Sequence, residues 1–263
     1  MSLSTWTDTH CHLDDDRYRG PGPKDLGGTT GVLSAARSAG VGTFITVGCD
    51  RQSSLNAIEC AAEHADVWAS VGLHPHEASH GVSSIVDLVS SPRVVAIGEA
   101  GLDYYYDHSP RDIQRQAFSE QIQLAHQHDL PLIIHTRDAW DETFDILQAD
   151  KPPKRIIFHC FTGGPEQARQ ALDLGAFLSF SGIVTFPSAS DVAEACVMCP
   201  TDRILVETDS PYLSPVPLRG RTNQPANVAV VGHHVAQLKN IVPTEFAAIT
   251  SANACIAFPR LNS

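Results

Sequence analysis

His10 and His12 stand two residues apart in Asp8-Thr9-His10-Cys11-His12, and Glu207 and Asp209 repeat that spacing towards the other end of the chain. Residues two apart on an extended segment point to one side, so each pair can present both groups together. Further acidic and imidazole residues close short apolar runs. Glu99 follows the run at 94–98, His135 follows 132–134 and His159 follows 155–158, while His74 sits in Gly72-Leu73-His74-Pro75-His76. Neutral imidazoles with carboxylates, and no obligatory thiolate, suit a divalent ion used for hydrolysis (Mg²⁺, Mn²⁺ or Zn²⁺) better than a structural zinc site. Any one of these histidines alone reads as a locally hydrogen-bonded side chain. Five or six at corresponding strand ends read as one metal centre.

The elements that must position them follow from hydrophobic pattern. Strands are expected at 6–10, 43–48, 67–72, 94–99, 132–135, 155–159, 176–181 and 204–209. Helical stretches are expected at 53–65, 112–126, 166–174, 190–199 and 228–241, the clearest carrying Ile113, Phe118, Ile122 and Ala125 as one apolar stripe. Eight strands alternating with helices predict an α/β fold, a (β/α)8 TIM barrel forming a single domain over residues 1–263. In such a barrel the C-terminal strand edges converge on one mouth, which gathers the polar residues above. The Pro/Arg/Gly/Asn segment 211–225 reads as a functional loop.

Composition bounds the partners. The chain has 263 residues, 43% hydrophobic and 18% charged, an ordinary globular balance that excludes disorder, collagen and coiled coil. Its net charge of −12 argues against a broad basic face for nucleic acid, but not against gripping a few phosphates through metal ions. No apolar run approaches the roughly 18 residues of a membrane helix. The opening residues lack a basic leader and apolar core, so a cytoplasmic location and no membrane partner are expected. Seven cysteines at irregular spacing do not form a disulfide framework. Cys11 and Cys160 read as small buried side chains, and the Cys196/Cys199 pair has no second C-x-x-C and receives no function. A serine triad is not supported, since G-x-S-x-G is absent.

These residues and their flanks resemble the TatD family of metal-dependent deoxyribonucleases, within the wider amidohydrolase-like superfamily. The matching blocks are DTHCHLD at 8–14, VGLHPHEA at 71–78, IGEAGLDYYYDHSPRDIQRQAF at 97–118, LPLIIHTRDA at 130–139, HCFTGG at 159–164, ETDSPYL at 207–213 and RGRTNQP at 219–225, with Asn253 near the end. The resemblance implies a barrel with two divalent metal ions at its mouth. His10, His12, Glu99 and Asp209 would hold one ion, and Glu99, His135 and His159 the other, with Glu99 as the bridge. The late loop departs from the family's usual HRGKRNEP, reading LRGRTNQP here, so Leu218, Thr222 and Gln224 replace residues expected to face substrate.

Two ions a few ångströms apart suit phosphodiester hydrolysis. Asp209 is the candidate to orient and deprotonate the attacking water, and a purely ligating role fits its position equally. Glu207 either binds a further ion, positions water or orients a ligand, and His74 is a candidate contact for the scissile phosphate. Arg137 and Arg221 are expected to contact phosphates, with Asn223 of the same late loop. Tyr104, with Tyr105 and Tyr106, offers faces for an unpaired base, although covering the core is the commoner use of such aromatics. The expected activity is 3′-to-5′ trimming of single-stranded nucleic acid, DNA before RNA, with no obligate protein partner. The rivals are a hydrolase of the same fold acting on an amide, lactone or aminoacyl-tRNA ester, and a non-catalytic metal-binding partner module.

Overall fold

The structure, a computed structural model, describes residues 5–20 and 25–262. The residues before Thr5, on which part of the leader reading rests, lie outside them. Eight parallel strands run in the order β1 to β8: Trp6–Cys11, Val41–Val47, Val67–Val71, Val94–Asp103, Leu132–Arg137, Ile156–Phe158, Phe177–Phe180 and Ile204–Val206. The ring closes where β1 meets the segment after β8, through the parallel bridge between Cys11 and Ser210 and the bonds His12 N–H to Ser210 O (2.8 Å) and Asp209 N–H to His10 O (2.9 Å). The (β/α)8 barrel expected from the apolar runs is what forms.

Strand alternation builds two apolar layers. Phe44, Leu132, Ile134, Phe158 and Val206 face the surrounding helices, while Ile45, Val47, Ile133, Ile157 and Leu205 form a separate cluster with Phe258 of the chain's last turns. The helices are α1 (Gly28–Ser38), α2 (Arg51–Glu63), α3 (Arg111–His128), α4 (Trp140–Asp150), α5 (Pro165–Asp173), α6 (Ser190–Met198), α7 (Val228–Leu238) and α8 (Pro243–Ala257). Among the described residues, no helix is long and apolar enough to cross a membrane.

Three of these helices escape the sequence reading. Glycines at 27, 28 and 31 punctuate the start of α1, and Gly31 is needed because a side chain there would collide with the Leu26 carbonyl. The α4 helix starts just beyond the polar end of β5, and α8 is built largely of small residues with a weak stripe. A second difference bears on the site. β4 runs ten residues, to Asp103 rather than to Glu99, so Glu99 sits inside a strand. Conversely β6 and β8 stop at Phe158 and Val206, leaving His159, Glu207 and Asp209 on irregular backbone. Between β3 and β4, short 3-10 turns occupy Pro75–His80, Val82–Ser84 and Val86–Leu88.

Gly101 shows how tightly β4 and β5 are joined. It pairs with His135, its φ of 144° suits glycine, and a methyl group there would overlap the His135 carbonyl oxygen. Gly101→Ala is expected to destabilise the fold by about 3 kcal/mol, combining overpacking with backbone strain. Denaturant unfolding checks this, and an unchanged midpoint would show that the two strands can separate freely.

Candidate metal centre

Glu99 is the hub of the barrel mouth. Its carboxylate is buried, and its two oxygens face different sets of imidazoles. Oε2 lies 3.4 Å from His10 Nε2, which in turn lies 3.8 Å from Asp209 Oδ1; His12 Nε2 is 3.4 Å from that same Asp209 oxygen. Oε1 lies 2.7 Å from His135 Nδ1, 2.7 Å from His159 Nε2 and 3.5 Å from His74 Nε2. Burial alone would raise the Glu99 carboxyl, but the surrounding His159, His74, His10 and His135 outweigh it and hold its pKa well below the ordinary range. Six sequence-selected residues thus meet around one carboxylate.

The imidazoles of His159 and His135 are each aimed by a carboxylate on the far side. Glu207 is fully buried, and its Oε1 accepts the Cys160 N–H (2.8 Å) and lies 3.3 Å from His159 Nδ1. That leaves His159 Nε2 for Glu99. Asp103 Oδ2 does the same for His135 Nε2 (3.3 Å) while also meeting His76 Nε2 (3.0 Å), and its Oδ1 accepts the N–H groups of Tyr105 and Tyr106. Burial opposes the Asp103 charge, but the bonds from His135, His76 and Tyr106 hold its pKa below the usual range. Outer partners of this kind set ring orientation and tautomer.

Asp209 reaches the centre by a route that alternation did not describe. Its backbone is left-handed, with φ at 52°, and the neighbouring Thr208 is pinned on both sides. Asp8 accepts the Thr208 N–H (2.9 Å) and Oγ1–H (2.6 Å), while Asn223 Nδ2 donates to the Thr208 carbonyl (2.9 Å). Burial pushes the Asp8 carboxyl up to about 8. The expectation that Asn223 touches substrate is therefore corrected. Asn223 is fully buried, and its Oδ1 is taken by the Gln224 N–H and Asn227 Nδ2, so it braces the segment carrying Asp209.

The Tyr104 expectation is corrected too. Its ring packs against the hydrophobic core under the Arg111 guanidinium (4.2 Å), whereas Tyr105 and Tyr106 are exposed beside Arg137. Arg137 and Arg221 are both exposed. His74 is buried at the mouth with its Nδ1 accepting the His76 N–H (3.1 Å). The sequence reading missed Asp8, Asp103 and Cys49. Asp103 was findable, since 99, 101 and 103 share one face once the strand is long enough. Cys49, whose Sγ lies 3.7 Å from Glu99 Oε2, ends a strand that shows no polar signal. Cys11 is buried as expected, donating to Ile45 O, and Cys196 and Cys199 are buried without forming a disulfide.

The donor set fits divalent ions. His10 is completely buried, yet neither ring nitrogen has a hydrogen-bond partner among the described residues, and Glu207 Oε2 is likewise unpartnered. An orphaned buried imidazole is costly unless a cation takes its lone pair. Ligand atoms of His10, His12 and Glu99 lie within 4.8 Å of one another, as do those of His74, Glu99 and His135, and those of His10, His159 and Glu207.

Chelator-stripped protein is expected to take up two divalent ions per chain, each adding about 2.7 kcal/mol of stability at a hundred-fold excess over its Kd. Glu99→Gln should weaken both ions, whereas His12→Ala and His135→Ala should each weaken one; calorimetric titration with elemental analysis distinguishes these from a single-site centre. A second expectation concerns His74, which burial pushes down to about 4. The unfolded chain then binds the extra proton between pH 6.5 and 4, so this residue's contribution is full above pH 6.5 and falls as pH drops towards 4. Ring NMR shifts of the metal-free protein should show His74 neutral at pH 6; a midpoint near 6.5 would contradict it.

Comparison with known proteins agrees with this arrangement. A family model described as TatD related DNase matches residues 7–259. The metal-dependent hydrolase YabD of Bacillus subtilis is 40% identical over 253 residues, covering 94% of this chain and 96% of that protein. The metal-dependent hydrolase YcfH of Escherichia coli K12 is 40% identical over 249 residues, covering 94% and 92%. Among solved structures, the TatD homolog YJJV of E. coli K12 matches with a TM-score of 0.87 at 27% identity, covering 98% of this chain and 99% of the other. With its barrel, its mouth of imidazoles and carboxylates and these relatives, the chain belongs to the TatD family and is a metal-dependent hydrolase.

Proposed function

We propose that this hydrolase is a phosphodiesterase that trims single-stranded DNA from the 3′ end, using two divalent ions. The observation that carries the reading is Glu99, with one oxygen towards His10 and the other towards His135 and His159. Two adjoining ligand sets sharing a carboxylate suit the displacement at a phosphodiester, where attacking and leaving oxygens both need charge stabilisation. Support for DNA comes from the family's description as DNase-related, and the polarity from the family resemblance.

In this reading His10, His12, Glu99 and Asp209 hold one ion and Glu99, His135 and His159 the other. Bound there, the ions supply Lewis acidity towards the phosphate and lower the pKa of water. The protein does the rest. Asp209, held in left-handed backbone by Thr208 and its anchors, accepts a proton from the attacking water at its carboxylate. His74 stays neutral and directs Nε2 towards the phosphate side of Glu99, where it positions a phosphate oxygen. Glu207 and Asp103 keep His159 and His135 turned to the centre. Arg137 and Arg221 take up phosphate charge further along the strand.

The test uses metal-stripped protein with Mg²⁺, Mn²⁺ or Zn²⁺ restored separately and a 5′-labelled single-stranded oligonucleotide resolved on a gel. A ladder shortening from the 3′ end, dependent on metal and slowed at least about a hundred-fold in Asp209→Asn, is expected. An intact oligonucleotide with every metal bound would overturn the reading in favour of an amide or carboxylic ester substrate.

A further inference from the structure

Three exposed tyrosines stand at opposite edges of the mouth. Tyr105 (59% exposed) and Tyr106 (51%) follow β4, and Tyr212 (41%) follows Asp209. Each edge carries an arginine laid over the rings. Arg137 lies 4.0 Å from the Tyr105 centroid and 4.8 Å from that of Tyr106. Arg17 lies 4.2 Å from the Tyr212 centroid and donates to its hydroxyl (3.1 Å).

Both edges connect to the metal ligands through ring contacts, one through two intervening imidazoles and the other directly. On one side the Tyr106 ring meets His76 (5.5 Å), His76 meets His74 (4.3 Å), and His74 meets His135 (4.6 Å). On the other the Tyr212 ring meets His12 (5.9 Å), which meets His10 (5.2 Å). The centre therefore lies between two aromatic and cationic ledges.

Several arginines on this acidic surface are tied to carboxylates, as in Arg37 with Asp66, Arg51 with Asp87, Arg111 with Asp107 and Arg115 with Glu142. Arg137 makes no ion pair among the described residues, and Arg17 reaches Asp15 only at 3.6 Å. Each ledge thus presents a planar cation over a tyrosine ring. A guanidinium over a tyrosine offers a flat face for a nucleobase and hydrogen-bond donors for the adjoining phosphate.

Resting on the phosphodiesterase reading, we propose that the Tyr105/Tyr106/Arg137 ledge and the Tyr212/Arg17 ledge stack the two bases that flank the scissile phosphate. The strand lies across the mouth with one base on each side of the centre. A duplex keeps those bases stacked on their neighbours, so this geometry selects an unpaired strand without regard to sequence.

The test is a set of single-stranded DNA substrates carrying one abasic residue immediately 5′ or 3′ of the first bond cleaved. KM and kcat are measured for wild type, Tyr212→Ala and the double variant Tyr105→Ala/Tyr106→Ala, with thermal unfolding confirming that each variant folds. In wild type, either abasic position should raise KM about ten-fold while leaving kcat nearly unchanged. The cost of one position should vanish in Tyr212→Ala and that of the other in the double variant, and Tyr212→Phe should restore it. An abasic cost equal in wild type and variants, or no cost at all, overturns the ledges. Bis(4-nitrophenyl) phosphate, which has no bases, separates this from failure of the underlying reading. Its hydrolysis alongside an unchanged abasic cost removes only the ledges, whereas no cleavage of either substrate removes the phosphodiesterase reading and the ledges with it.

Discussion

A carboxylate buried among imidazoles is the constraint on which the barrel mouth depends. Glu99 sits inside β4 with almost no solvent contact, and an ionised group in that position must be compensated by partners within a few ångströms. Strands β1, β5 and the end of β6 each send a histidine to it. Because β4 and β5 meet at Gly101 and His135 with no room for a side chain on the glycine, the spacing between Glu99 and His135 is set by backbone contact. His10, Glu99 and His135 are thus held within strands, while His159 and Asp209 stand on the irregular backbone just beyond β6 and β8.

Around that carboxylate runs a shell of buried acids and amides that touch no open surface of the mouth. Asp103 turns His135, Glu207 turns His159, and Asp8 with Asn223 clamps Thr208 so that Asp209 can hold its left-handed backbone. Asp8, Asp103 and Asn223 are each engaged on more than one atom, and Glu207 Oε1 is held by two partners, which removes the rotamer freedom that would blur the geometry of the ligands. Asp8 and Asn223 come from opposite ends of the chain yet meet at one residue. The closure of the barrel between β1 and β8 and the placement of Asp209 are therefore a single structural event.

A chain carrying −12 can still act on a polyanion if positive charge is concentrated at the mouth. Some exposed arginines are held in surface ion pairs worth little to stability, such as Arg51 with Asp87 and Arg111 with Asp107, while Arg17 and Arg137 at the mouth lie over tyrosine rings. Bound divalent ions would add further positive charge at the point where strands β1, β4, β5 and β6 converge. Attraction of this kind is local, and salt screens it readily.

The sequence by itself determined the barrel, because short apolar runs alternating with helical stretches have few other compact solutions, and it determined which histidines and acids gather, because strand ends in a parallel barrel share one mouth. It even located His10, His12, Glu99, His135, His159 and Asp209 without knowing that β4 continues to Asp103 and that β6 and β8 stop short. What only the tertiary structure decided is the direction of individual side chains. Asn223 and Tyr104 lie in segments that look like substrate-facing loop, yet one is spent bracing Thr208 and the other lies under Arg111. Asp8, Asp103 and Cys49 enter the site through contacts between residues far apart in the chain. Local pattern reports which face of an element a residue occupies; which partner meets it there depends on packing between elements, and that exists only once the barrel has closed.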